Sequence, residues 1–156
     1  MAEEQRDTAG IVAEPQWIFA ASVVAGLLFQ WIRPLPVLPS GAGLPIGIAL
    51  AVAGITLCRS AVAAFRQVGA SIQPGDPASA IVTTGPYRFS RNPIYLGMAL
   101  LAAGIGLLAS AGWVLALLAL ALVVIQKGVI EREEAYLGRR FPNAYPAYTQ
   151  HVRRWL

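Results

Sequence analysis

IYLGMALLAAGIGLLASAGWVLALLALALVVIQ, residues 94–126, carries no charged residue and is broken once, at Ser110-Ala111-Gly112. The runs on either side, Ile94 to Ala109 and Trp113 to Gln126, are apolar throughout. So short a link folds two helices back on one another as an antiparallel hairpin. Two more apolar runs precede it, Gln16 to Ile32 and Leu44 to about Phe65. The first is about as short as a membrane-crossing helix can be. Pro15 suits its first turn, where a missing N–H does no harm. Trp17 and Trp31 stand near its ends, as interfacial aromatics do. The second run has small residues four apart at Gly43, Gly47 and Ala51, a spacing that permits close helix packing in lipid. Between these two runs, RPLPVLPSGAG, residues 33–43, is a connector.

Composition agrees. Of 156 residues, 56% are hydrophobic and 13% charged, too greasy for the polar surface a soluble domain needs. The pattern predicts a single all-α domain over 1–156: a polytopic membrane protein with about four transmembrane helices (16–32, 44–65, 94–109, 113–126) and a C-terminal cap helix in the segment 127–156. The net charge of +4 comes from eleven Arg and one Lys against eight acids. No basic helix or aromatic-basic platform argues for nucleic acid. With four spans, one side of the membrane takes Arg6, Arg66, Arg88, Arg91, Lys127, Arg132, Arg139, Arg140, Arg153 and Arg154. The other side takes Arg33 alone. That bias places both termini in the cytoplasm. MAEEQRDTAG lacks a basic n-region and the first run lacks a cleavage site, so no signal peptide is read. Cys58 is the only cysteine and excludes an internal disulfide.

Polar residues gather at the cytoplasmic end of the hairpin. TTGPYRFSRNPIYLG, residues 83–97, leads into the third helix, and EREEAYLGRRFPNAYPAYTQHVRRWL, residues 131–156, follows the fourth. A hairpin brings these ends together, so Tyr95 and Gly97 face the region of Glu131, Glu133 and Glu134. Pro93 fits a first helical turn and drives Asn92 out of helical geometry, toward an N-cap position. Gly97 lets either a ligand or a neighbouring helix approach the backbone. Glu133 and Glu134, being adjacent, point roughly 100° apart on a helix and are not equivalent toward one ligand. A salt-bridged surface helix, with Lys127, Arg132 or Arg139 as partners, is the plainer account of these acids. Arg88 suits either lipid phosphates or an anionic substrate. Arg59, inside the second span, either snorkels to the surface or lines an acceptor pocket. His151, the only histidine, reads as a surface or packing residue. No metal-ligand cluster, Walker motif, nucleophile elbow or dinucleotide fingerprint is present.

GPYRFSRNPIYLG, one hydrophobic hairpin, then EREEAYLGRRFPNAYPAYTQHVRRWL: this order resembles the isoprenylcysteine carboxyl methyltransferase family and the related phospholipid N-methyltransferases, over about residues 70–156. The resemblance implies an integral membrane enzyme that uses S-adenosylmethionine. Arg91, Asn92, Pro93, Tyr95 and Gly97 fall on the first family motif, and Glu133 and Glu134 on the second. It assigns Arg91 and Glu134 to catalysis. It assigns Asn92, Pro93, Tyr95, Gly97, Glu133 and Glu134 to the cofactor, with a glutamate on its α-amino group. Arg59 and Arg88 are the candidates for substrate, a lipophilic molecule or lipid that enters from the bilayer. Tyr145, Tyr148 and Val152 continue the second pattern. Two positions depart from it. Asn92 replaces the common His, which excludes acid-base work there. Pro142 stands where glycine is commoner, and requires a helix break. Two rivals remain at this level: a membrane reductase using a nicotinamide cofactor, and a small four-helix exporter, although no Asp or Glu lies deep in any span.

Overall fold

The computed structural model of the chain describes residues 9–38, 41–71 and 76–156. Arg6, counted in the charge bias, lies outside the described residues, as do the connector residues 39 and 40. Among the described residues six α-helices form: α1 (Pro15–Ile32), α2 (Gly43–Gln67), α3 (Pro93–Leu108), α4 (Gly112–Ile125), α5 (Glu131–Arg140) and α6 (Ala144–His151). Among the described residues there is no strand. Three helices are long and apolar enough to cross a membrane: Pro15–Ile32, Gly43–Gln67 and the continuous Gly112–Arg140. Pro93–Leu108 is a shorter apolar helix. The protein is an all-α, polytopic membrane protein.

The helix order in space follows from where the small residues sit. α2 packs most extensively on α3, and α1 on α4, with α3 touching α4 and α1. A Cβ placed on Gly54 of α2 would lie 2.5 Å from the Gly97 carbonyl oxygen, and one on Gly97 would lie 2.5 Å from Cys58 Sγ. Gly47 likewise faces Gly104. Without hydrophobic drive between helices in lipid, such close approach of backbones is what gains dispersion energy. Large apolar side chains accordingly point outward, among them Val24, Leu28, Ile48, Val52, Leu120 and Val123. Inside, Phe19, Tyr95, Ala99, Ala102, Leu118, Ile125, Val129 and Ile130 form one buried cluster.

The α3–α4 turn ends α3 in a Schellman-type cap. Ala111 N–H bonds to Gly106 O at 2.7 Å, and Ser110 takes the left-handed position at φ 49°. The 33–38 connector is tied to that turn. Gly112 N–H donates to Leu35 O (2.8 Å) and Trp113 Nε1–H to Arg33 O (2.8 Å). Backbone groups at this end of the bundle are thereby satisfied.

α4 ends at Ile125, within a residue of the expected limit of the fourth apolar run, and the backbone continues through a π turn, Gln126–Ile130, directly into α5. The apolar stretch stops at Ile130; six of the ten α5 residues are charged, so α5 stands clear of the apolar segment as the cap. α5 ends at Arg140, and Pro142 lies in the break before α6, as its lack of an N–H demands.

Candidate functional site

The π turn adds a residue to the helical repeat. Gly128, Val129 and Ile130 are consecutively buried, and the next turn presents Glu133, Glu134 and Tyr136 to the start of α3. Pro93 opens α3, preceded by a 3-10 turn, Gly85–Arg88, in which Gly85 has φ 59°. Tyr87 in that turn packs edge-on against Phe65 near the end of α2, ring centroids 5.4 Å apart. Between these elements lies a cavity of about 160 Å³. One wall is α5 with Tyr145 and Tyr148 of α6. Another is Arg91, Asn92, Ile94 and Tyr95 at the mouth of α3. The third is Phe65 and Tyr87 with the segment 76–82. Tyr136 holds that segment in place by accepting Ala78 N–H at 3.0 Å. Tyr148 O–H donates to Tyr87 O at 2.7 Å and closes α6 onto the 3-10 turn.

The two adjacent glutamates have different surroundings. Glu134 takes both guanidiniums. Arg154 forks it through Nε (2.9 Å) and Nη2 (2.6 Å), and Arg91 Nη1 reaches the same carboxylate at 3.0 Å. Glu133 has no ion pair among those observed; its partner is Tyr95 O–H, which donates at 2.7 Å. Removal from water pushes the Glu133 carboxyl up to about 7; the Glu134 charge adds to this and the Tyr95 hydrogen bond opposes it. Arg91 Nε is buried and meets no acceptor. Two residues of the cavity wall thus carry unanswered groups, Glu133 an acid without a cation and Arg91 a buried N–H without an acceptor.

Of the residues expected from sequence, the structure brings Arg91, Asn92, Tyr95, Glu133 and Glu134 together on this cavity. Pro93 and Gly97 do not line it; Pro93 is buried in the first turn of α3, and Gly97 is taken up by packing against Gly54 and Cys58. Arg59 and Arg88 are exposed and lie off the cavity wall. Asn92 occupies the N-cap position without capping through its side chain. Its Nδ2 instead donates to Arg154 O at 3.0 Å, and its own N–H donates to Ser90 Oγ at 3.1 Å. Glu131 pairs with Lys127 on the exposed side at 2.8 Å, the surface salt bridge expected for one of the three acids. His151 is exposed. Sequence reasoning missed Arg154 and the 76–82 wall. Neither had a usable signal in the sequence: two helix breaks separate Arg154 from Glu134, and the wall is mostly small neutral residues beside Asp76.

A ligand that carries an ammonium, a carboxylate and a planar ring, as S-adenosylmethionine does, would find chemically matching residues here in Glu133, Arg91 and the aromatic wall. Among the described residues no group of His, Cys, Asp or Glu could hold a metal.

Known proteins resemble the chain over part of their length. The cobalt-zinc-cadmium resistance protein CzcN of Cupriavidus metallidurans is 30% identical over 139 residues, covering 85% of this chain and 56% of that protein. The nickel-cobalt-cadmium resistance protein NccN of Alcaligenes xylosoxydans xylosoxydans is 35% identical over 68 residues, 44% of this chain and 32% of that protein. The chain thus spans about half the length, or less, of these relatives. No solved structure matches it. The phospholipid methyltransferase profile matches residues 43–144, from the start of α2 to the start of α6. The chain belongs to the phospholipid methyltransferase family.

Proposed function

We propose that this protein transfers a methyl group from S-adenosylmethionine to an amphiphilic acceptor at the membrane surface, either a carboxylate of the isoprenylcysteine kind or a phospholipid-like amine. The observation that carries the reading is the pair of unanswered groups on two residues of the cavity wall, Glu133 without a cation and Arg91 Nε without an acceptor. A ligand with one ammonium and one carboxylate answers both. When bound, S-adenosylmethionine supplies an electrophilic methyl on sulfonium.

The chain's own residues do the rest. Glu133 holds the ammonium, and Tyr95 O–H fixes the carboxylate that does so. Glu134 holds Arg91 in place and leaves its Nε directed at an anion. The aromatic wall excludes water from the reacting atoms, which aligned displacement at carbon requires. A carboxylate acceptor needs no base. An amine acceptor must give up a proton before it attacks, and with Glu133 on the ammonium and Glu134 paired twice, that proton leaves to solvent. The arginines of α5 and of residues 153–154 lie at the cavity's end of the bundle and Arg33 at the other. This supports a cytoplasmic cavity and cytoplasmic termini. The resistance functions in the relatives' names belong to those proteins; their chemistry here would be methylation of a lipid-like molecule.

Calorimetric titration of the detergent-purified protein with S-adenosylhomocysteine, and with NADPH in parallel, tests the reading. Micromolar binding of the first alone is expected. Binding of NADPH alone replaces the reading with a membrane reductase, and silence from both in folded protein removes it.

A further inference from the structure

The residues that follow α6 form a stitch. Arg91 N–H donates to Arg153 O at 3.0 Å, Asn92 Nδ2 to Arg154 O at 3.0 Å, and Trp155 Nε1–H to Gln126 Oε1 at 2.9 Å. Three consecutive residues thus join the mouth of α3 to the π turn. In the middle of them the Arg154 side chain forks Glu134. Arg154 does not line the cavity. Any influence on a bound ligand must therefore pass through Glu134 or the mouth of α3.

That influence has a definite sign. Glu134 and Glu133 are neighbours in sequence, and a negative charge on one opposes a charge on the other. Two guanidiniums on Glu134 cancel most of that opposition. With Arg91 alone, Glu134 is balanced only by a group that the ligand also needs. We propose that Arg154 is a positioning residue of the methyl-transfer site: it holds and neutralises Glu134, so that Arg91 remains free for an anion and Glu133 is able to carry charge toward a cation. The inference rests on the function proposed above. The groups facing Glu133 are Tyr95 of α3, Tyr87 of the 3-10 turn and Glu134 on its own helix, with Arg91 and Arg154 acting beyond Glu134 and Asp76 on the same cavity. Of these, Arg154 is the one positive charge that does not itself line the cavity.

The test is the pH at which S-adenosylhomocysteine binding reaches half its plateau affinity, measured by calorimetry on the full chain. An ammonium ligand binds the charged form of Glu133, so affinity climbs as pH rises and levels off above the group's midpoint. Arg154→Gln is expected to move that midpoint upward by about half a unit or more, because Glu134 keeps an unbalanced charge. Arg154→Lys, which retains the charge but not the fork, returns it most of the way. Arg139→Gln, an exposed arginine on the same helix as Glu134, leaves it in place. Glu134→Gln removes the intermediary: the midpoint falls, and adding Arg154→Gln to it changes nothing further. That double variant leaves no unpaired carboxylate behind and serves if Arg154→Gln alone fails to fold. An unmoved midpoint in Arg154→Gln, or an equal shift with and without Glu134, overturns the inference. If the wild-type protein binds no S-adenosylhomocysteine at any pH, the proposed function falls on its own. The positioning role is then read from the infrared carboxyl band of Glu133, assigned with Glu133→Gln, whose titration must show the same upward shift in Arg154→Gln.

Discussion

Replacing Glu133 by Gln should stabilise the empty protein while abolishing the affinity it serves. The carboxyl has its ordinary value of 4.5 in the unfolded chain and is raised to about 7 in the fold. Between those values the folded state binds more protons than the unfolded state. Stability therefore falls as pH rises through that window and is flat above it. At 1.36 kcal/mol per unit, the penalty at pH 8 is on the order of 3 kcal/mol. The glutamine side chain keeps the size of the glutamate, accepts the same Tyr95 hydrogen bond, and carries no charge to desolvate. The assay is thermal unfolding in detergent, followed by tryptophan fluorescence, from pH 5 to pH 9. Wild type should lose several degrees between pH 5 and 7, and Glu133→Gln should lose almost none of them. At pH 8 the variant should unfold at the higher temperature. S-adenosylhomocysteine should then raise the wild-type midpoint and leave the variant where it was. Parallel profiles for the two proteins would show that Glu133 is adequately solvated in the fold, and the electrostatic reading of the cavity would be wrong.

Other perturbations test other parts. Gly54→Ala puts a methyl 2.5 Å from the Gly97 carbonyl oxygen, so α2 and α3 must part; a loss of about 1–3 kcal/mol is expected in the same unfolding assay. Ser110→Gly relieves a left-handed residue and should stabilise by up to about 1 kcal/mol. Inserting one alanine between Ile130 and Glu131 turns α5 by roughly 100° relative to α4. Calorimetry should then show no S-adenosylhomocysteine binding, while circular dichroism shows helix content retained. Arg59→Met changes an exposed side chain off the cavity, and S-adenosylhomocysteine affinity should stay within about twofold of wild type.

The helix ends were legible because the chain must cross between two solvents, and hydropathy changes abruptly where it does. α1, α2 and α3 each begin within a residue or so of the expected run. α4 likewise ends within a residue of its run, but its continuation through the π turn into α5 was not legible: polarity rises at Lys127 while the helix goes on, because hydropathy reports the medium and not the continuity of hydrogen bonding. That the mouth of α3 meets the glutamates of α5 follows from hairpin topology, since antiparallel helices must end side by side; the pairing of Tyr95 with Glu133 and of Arg91 with Glu134 does not. Arg154 was not legible. Twenty residues and two helix breaks separate it from Glu134, and no periodicity survives such breaks. Gly97 was open between ligand and helix; the small residues of α2 decide for the helix.

The site is less a separate polar cap than the outer edge of the membrane core. Tyr95 belongs to the buried cluster with Phe19, Leu118, Ile125, Val129 and Ile130, while its hydroxyl reaches Glu133. Packing of α3 against α4 therefore fixes one side of that hydrogen bond. The unbroken helix from Gly112 to Arg140 fixes the other. A loop between α4 and α5 would let the carboxylate follow the medium and stay hydrated. The π turn instead keeps the helix continuous and leaves the carboxylate facing the Tyr95 hydroxyl, largely removed from water. Preorganisation of this kind costs stability in the empty protein, and the densely packed small-residue interfaces within the bilayer offset that cost.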